Sequence, residues 1–103
     1  MPYFALFYEV VEDFASRRLP FRPNHLQHVQ QAHDRGELLL AGAFADPCDT
    51  ALLVFRGDQR RVAEEFAARD PYVTGGLVSR WYVRDWTQVI ATEPGEQALV
   101  ARR

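Results

Sequence analysis

Residues 3–11 of the chain read YFALFYEVV, and this stretch decides the fold. It is rich in aromatic and β-branched residues, contains no Gly or Pro, and is too short for a helical period, so it predicts a β-strand. Apolar side chains fall on both faces of this strand. They are Tyr3, Ala5 and Phe7 on one face, and Phe4, Leu6, Tyr8 and Val10 on the other. The strand therefore needs apolar cover on both sides.

Three further segments predict strands. Residues 38–44 and 50–56 are apolar runs separated by the loop sequence ADPCD, which is typical of a hairpin connection. Residues 77–86 alternate in part between polar and apolar side chains, as a strand with one covered face does. Residues 12–21, which are charged and end in Leu19-Pro20-Phe21 just before Arg22-Pro23, are expected to be a loop.

Two segments predict helices. Residues 23–35 carry apolar side chains at a spacing of three to four, with Pro23 at the first helical position. Residues 59–69 also have an apolar face, with Asp58 as the expected cap, and the Asp70-Pro71 dipeptide ends the helix. Residues 72–76 are then expected to be a loop.

The resulting order, βαββαβ, predicts a ferredoxin-like α+β sandwich. In this fold a four-stranded antiparallel sheet carries both helices on one face. We expect a single domain over residues 1–90, followed by a tail, residues 91–103, that is either disordered or packed on a partner subunit. Because the helices cover only one face of an apolar central strand, we expect a homodimer formed through the helix-free face.

Composition excludes several functional classes. Twelve basic residues against fourteen acidic ones give a net charge of −2, which disfavours nucleic acid and anionic membranes as partners. All twelve bases are Arg, so no lysine Schiff base is available. The single cysteine, Cys48, cannot form an intrachain disulfide, and no apolar run is long enough to span a bilayer. We predict a cytoplasmic protein.

The predicted topology gathers distant residues at one edge of the sheet, where the first helix begins, the second strand ends and the second helix ends. Candidate site residues at this edge are Arg22, His25, Gly42, Phe44, Asp70 and Tyr72. His25 in the first helical turn meets unpaired N–H groups that disfavour the imidazolium, which favours a neutral base. If Asp70 binds one ring nitrogen, the other is free to transfer a proton.

The remaining site residues have more general uses. Arg22 suits a substrate carboxylate or phenolate, and Tyr72 suits a developing oxyanion. The competing interpretation of Arg22 is a solvated side chain in the first helical turn, and that of Tyr72 is a packed aromatic after Asp70-Pro71. His25 and His28 share a helix face and, with Asp70, form a weak candidate metal site, but no H-E-x-x-H motif supports it, so we expect no metal and no cofactor.

Three motifs in order resemble the YCII-related (YciI-like) family. They are R-x-x-H at residues 22–25, G-x-L-x-x-x-G at residues 36–42 and D-P-Y at residues 70–72, within a resemblance over about residues 3–89. The resemblance implies a ferredoxin-like dimer, related to dimeric α+β barrels, with His25 and Asp70 as the active site. It also implies lyase-like or dehydrochlorinase-like action on small aromatic compounds. The chain departs from the family where Gly42-Ala43-Phe44 replaces a common Gly-Pro.

Three functions follow for comparison. The first is a cofactor-independent lyase or isomerase in which His25 is the base and Asp70 its partner, acting on a small anionic compound. The second is a noncatalytic ligand-binding or accessory domain that uses the same cleft, with Arg22 holding an anion. The third is RNA binding, because the RNA-recognition motif has the same βαββαβ order, but residues 51–56, ALLVFR, lack its basic and aromatic signature.

Overall fold

The computed structural model describes residues 2–91. The strands are β1 (Tyr3–Val10), β2 (Leu38–Ala43), β3 (Thr50–Arg56) and β4 (Val78–Trp86), and the helices are α1 (Phe14–Arg17), α2 (Arg22–Asp34), α3 (Arg61–Arg69) and α4 (Pro71–Thr74). The strands form one antiparallel sheet in the order β2-β3-β1-β4. The predicted α+β fold with a four-stranded antiparallel sheet is confirmed.

The central position of β1 explains its apolar sequence. It pairs along its whole length with β3 on one side and β4 on the other, in registers that place Leu6 opposite Leu53 and Val83. Strand alternation sends Leu6 toward the helices, where Ala32 of α2 and Phe66 of α3 join the same buried cluster. The main core therefore lies between the sheet and the two longer helices.

None of the helices within residues 2–91 covers the opposite face of the sheet. Ala5 of β1 lies opposite Val54 of β3 and Arg84 of β4, and Val54 in turn lies opposite Leu40 of β2. Cross-strand partners share a face. Leu40 is 68% exposed there and Trp86 is 47% exposed, so apolar surface remains open on this face.

Three local expectations were wrong. The segment before Pro23 is not all loop, because it contains the single-turn helix α1, whose Phe14 packs edge to face on Tyr72 with ring centroids 5.3 Å apart. Asp58 does not cap α3, which begins at Arg61 after Arg60 without a side-chain cap. The segment after Asp70 is not a loop either, because Pro71–Thr74 forms α4.

The helix stop at Asp70-Pro71 agrees with the prediction, since α3 ends at Arg69. The predicted tail, residues 91–103, lies outside the described residues apart from Ala91. The domain bounds 1–90 stay a prediction. None of the helices between residues 2 and 91 has the length and apolar character needed to cross a membrane.

Candidate functional site

Asp70 is the centre of the site, and it is the only charged residue among the fully buried side chains of residues 2–91. Its Oδ1 accepts hydrogen bonds from the Nδ1–H of His25 at 2.7 Å and from the backbone N–H of Tyr72 at 2.9 Å. Its Oδ2 accepts from the hydroxyl of Tyr8 at 2.8 Å. A buried carboxylate is stable only when its oxygens are paired in this way.

The chain places Asp70 there through its local sequence. Pro71 cannot continue α3 and suits the first position of a new helix, so the extended Asp70 becomes the N-cap of α4. The same oxygen of Asp70, Oδ1, thus accepts hydrogen bonds from the Tyr72 amide of α4 and from the His25 ring. From the sequence, Asp70 is predicted to end the preceding helix and to pair with His25. Its role as the N-cap of α4 was not predicted.

The position of the His25 ring is fixed by its helix, a hydrogen bond and a ring contact. It lies in the first turn of α2, its Nδ1 is bound to Asp70, and its ring stacks on Tyr72 with centroids 3.6 Å apart and planes 9° from parallel. The His25 side chain is 14% exposed. Because Asp70 fixes Nδ1 as the protonated nitrogen of the neutral ring, Nε2 keeps a free lone pair. Such a nitrogen accepts a proton from a bound molecule.

A cavity of about 170 Å³ adjoins this pair, between α2 and the sheet. His25, Tyr8 and Tyr72 contribute to its lining, together with the two arginines Arg18 and Arg22. The apolar part of the wall is formed by Leu26, Val29, Ala41, Gly42, Ala43, Ala51, Leu53 and Phe14. The cavity wall therefore combines polar and basic side chains with a larger apolar part.

Five of the six predicted site residues meet here. His25, Asp70 and Tyr72 are in direct contact, and Arg22 and Gly42 line the cavity. Phe44 is absent from the lining and is 51% exposed. It follows Ala43 directly, and alternation along the strand sends neighbouring side chains to opposite faces, so Phe44 points away from the cavity that Ala43 lines.

Two polar residues of the cavity wall, Tyr8 and Arg18, were not predicted from the sequence. Alternation along β1 placed Tyr8 on the helix-facing side at the strand end nearest the site, which is a signal for it. Burial raises the pKa of the Tyr8 hydroxyl well above its ordinary value, and the neighbouring Asp70 charge adds to the effect. Arg18 follows α1, a helix that sequence analysis did not predict.

His28 does not join a metal site with His25. Its Nε2 donates to the Phe66 carbonyl at 2.9 Å, and its ring stacks on Phe66 with centroids 4.2 Å apart. It borders a groove of about 900 Å³ that contains neither His25 nor Asp70. Within residues 2–91, no three His, Cys, Asp or Glu side chains are grouped closely enough to hold a metal ion.

Asp70→Asn should lower the free energy of unfolding by roughly 2 to 3 kcal/mol, because an amide cannot accept all three hydrogen bonds and leaves buried donors unpaired. The ¹⁵N shifts of the neutral His25 ring should also change from one tautomer to a mixture. Urea unfolding and NMR measure the two effects. Asp85→Asn, at an exposed pair with Arg60, is the control and should cost about 0 to 1 kcal/mol. Equal losses in the two variants, with an unchanged tautomer, would contradict the assignment.

Tyr8→Phe tests the buried hydroxyl and its pH dependence. A folded pKa above the unfolded value of 10.0 means that the folded protein holds the proton longer, so wild-type stability falls as pH rises past 10. The slope is about 1.4 kcal/mol per pH unit for this proton. Urea unfolding should show Tyr8→Phe roughly 1 to 3 kcal/mol less stable near neutral pH, with the gap narrowing above pH 10. A gap that stays constant above pH 10 would refute the raised pKa of the buried Tyr8 hydroxyl.

The chain is similar to a known domain family and to named proteins within it. A model of the YCII-related domain matches residues 1–87. Protein YciI of Escherichia coli O6:H1 is 33% identical over an alignment that covers 75% of this chain and 88% of YciI, and YciI of Shigella flexneri matches equally.

Solved structures agree on the fold. The 5-chloro-2-hydroxyhydroquinone dehydrochlorinase TftG of Burkholderia phenoliruptrix superposes with a TM-score of 0.70 at 14% identity, over 84% of this chain and 94% of TftG. A NIPSNAP family protein of Agrobacterium tumefaciens gives a TM-score of 0.56 at 12% identity, over 91% of this chain and 97% of its own. At these identities the likeness concerns the fold alone. The family model and the YciI proteins confirm the resemblance found in the sequence: the chain belongs to the YCII-related domain family.

Proposed function

We propose that the protein is a cofactor-independent enzyme that carries out acid–base chemistry of the lyase or isomerase type on a small aromatic anion. The observation that carries this proposal is the chain of hydrogen bonds from Tyr8 through Asp70 to His25, beside the cavity. It gives His25 a fixed tautomer and an oriented ring, which are the two requirements for a general base. Asp70 then stabilises the imidazolium that forms when Nε2 takes a proton.

The cavity supports a substrate of one ring. Its volume is about 170 Å³. A dry cavity of about 150 Å³ in another protein admits benzene. The apolar wall formed by Leu26, Val29 and Leu53 suits the ring faces, and the basic side chains suit an anionic substituent.

The proposed reaction begins when Nε2 of His25 removes a proton from a carbon or hydroxyl of the substrate. The electron pair left behind moves into the ring system toward an oxygen, where Arg22 and the Tyr72 hydroxyl stabilise the negative charge. In a lyase the charge then expels a leaving group from the neighbouring carbon. In that case the imidazolium passes its proton to the departing group or to solvent water. In an isomerase the imidazolium returns its proton at another carbon, so His25 ends the cycle neutral in both cases.

TftG supports this choice of chemistry. That protein is a dehydrochlorinase of a chlorinated hydroxyhydroquinone, and its structure holds 2,5-dihydroxybenzoquinone, a compound of one ring. Loss of hydrogen chloride is an elimination that needs a base and a leaving group, as the reaction above does.

We propose Arg22, Gly42 and Tyr72 as the substrate-binding residues. Phe44, which points away from the cavity, is not part of this proposal.

A noncatalytic binding domain is the second candidate. It is favoured by the cap that Asp70 provides for α4, because a carboxylate with a structural role explains its burial without catalysis. In that case the cavity holds the same class of anion and leaves it unchanged. Catalytic turnover separates the two functions.

We also propose that a second copy covers the helix-free sheet face. Leu40, Phe44 and Trp86 are large apolar side chains, each about half exposed or more, and Leu40 shares this face with the buried Ala5 and Val54. An apolar face of this kind is typical of an interface between copies.

We further propose a cytoplasmic location. Cys48 is the only cysteine of the sequence, so the chain has no intrachain disulfide, which is typical of proteins in a reducing compartment.

His25→Gln should lower turnover about 10²- to 10⁴-fold, the usual contribution of a positioned base. One-ring phenols and aromatic acids are incubated with the full chain in D₂O, and NMR follows deuterium incorporation or loss of a substituent. His33→Gln, an exposed histidine on the same helix, is the matched control and should keep wild-type turnover. Equal rates in wild type and His25→Gln would refute the base, and binding with no chemical change in any compound would favour the noncatalytic domain.

Leu40→Glu should convert a wild-type dimer to a monomer in sedimentation experiments at micromolar concentration, because it buries a charge in the proposed interface. Leu19→Glu is the matched control, since Leu19 is 62% exposed but follows α1 and belongs to none of the strands. It should leave the dimer intact. A wild-type protein that sediments only as a monomer would contradict the proposed dimer.

A further inference from the structure

Two polar atoms beside the cavity are buried without a hydrogen-bond partner: the Tyr72 hydroxyl and the Nε of Arg18. Tyr72 is 3% exposed, so its hydroxyl cannot be satisfied by bulk water. Leaving a buried donor unpaired costs about 1 to 3 kcal/mol, and more for a charged group. Both residues line the same cavity, and two unsatisfied polar atoms in its wall are consistent with a bound group that the protein alone does not supply.

The arginines beside them have no acidic partner among residues 2–91. Among the ion pairs of residues 2–91, none joins Arg18 or Arg22 to a carboxylate. The nearest buried acid, Asp70, already accepts three hydrogen bonds from other groups. Within the described part of the chain, the cavity wall therefore carries two positive charges with no acidic partner, which attracts an anion.

Arg18 is held for this role. Its guanidinium lies over the Phe14 ring at 5.5 Å from the centroid, and Phe14 is itself packed on Tyr72. A guanidinium supported on an aromatic face loses less freedom when it binds an anion. Burial raises the pKa of Tyr72, although the charges of Arg22 and Arg18 oppose the rise, so the hydroxyl stays protonated and able to donate near neutral pH.

We propose that Arg18, Arg22 and the Tyr72 hydroxyl form a subsite for one anionic oxygen group, a carboxylate or a phenolate, and that Arg18 selects for this anion. The inference rests on the proposed function, because it names the substrate group that this cavity takes. The apolar wall receives the ring, and the subsite fixes the end of the molecule that carries the charge. The ligand is thereby oriented with respect to His25, which also lines the cavity.

Benzoate, its neutral isostere benzamide and 4-nitrophenolate are suitable probes, titrated into the full chain while ¹⁵N NMR follows the arginine Nε resonances. Benzoate should shift the Arg18 Nε resonance and bind at least about 10-fold more tightly than benzamide, as a charge-assisted hydrogen bond predicts. Comparing the affinities of 4-nitrophenolate and benzoate shows whether the subsite prefers a phenolate or a carboxylate. Tighter binding of 4-nitrophenolate assigns the subsite to phenolates, and tighter binding of benzoate assigns it to carboxylates.

Arg18→Met keeps the length of the side chain and removes its charge and its donors, so it should weaken benzoate binding about 10- to 150-fold and leave benzamide binding unchanged. Arg17→Met is the matched control, because Arg17 is the exposed neighbour in α1 and does not line the cavity. It should bind benzoate as wild type does. The wild-type Nε shift tests the same contact if Arg18→Met does not fold.

Equal affinity of wild type for benzoate and benzamide, or an Arg18 Nε resonance that no anion moves, would overturn the subsite. So would a folded Arg18→Met protein with wild-type affinity for benzoate. Failure of the proposed catalysis has a different signature. In that case His25→Gln and wild type both leave every compound unchanged, while benzoate still binds through Arg18.

Discussion

The carboxylate of Asp70 is the interaction on which the rest of the site depends. It accepts hydrogen bonds from β1 through Tyr8, from α2 through His25 and from the first turn of α4 through the Tyr72 amide. These elements are far apart in sequence and meet at one edge of the sheet. A buried charge without partners costs several kcal/mol, so the three elements can pack only in the arrangement that supplies all three donors. The geometry of the proposed base is therefore fixed by the same contacts that stabilise the fold.

This shared constraint also positions Tyr72. The cap holds the start of α4, and α4 holds the Tyr72 ring under His25 at a centroid distance of 3.6 Å, with Phe14 against its edge. Tyr72 thus packs on two rings while its hydroxyl stays unpaired beside the cavity. The stacking restricts the imidazole to one plane, and the bond to Asp70 restricts it within that plane. A general base needs both restrictions, because proton transfer depends on distance and direction.

Much of this arrangement could be predicted from the sequence, for physical reasons. The apolar run of β1 and the strand and helix periods determine an antiparallel βαββαβ order, and each reversal of direction brings His25 and Asp70 to the same edge. Other features depend on three-dimensional packing. Helix α1 is too short to show a period, so Arg18 had no predicted place. The end of β2 at Ala43 turns Phe44 to the outer face, which residue type alone does not reveal. The partner of the Tyr8 hydroxyl depends on how deeply Asp70 is buried.

The charges of the site explain how one small cavity can combine a base with an anion. A free carboxylate beside His25 would repel an anionic ligand, but the charge of Asp70 is spread over three donors on the protein side. Arg18 and Arg22 line the cavity and have no acidic partner among residues 2–91, so they dominate its electrostatics there. When His25 takes a proton, the imidazolium lies between a carboxylate and the new negative charge of the substrate. Each charge formed in the proposed reaction thus meets an opposite charge that is already in place, so little reorganisation is needed.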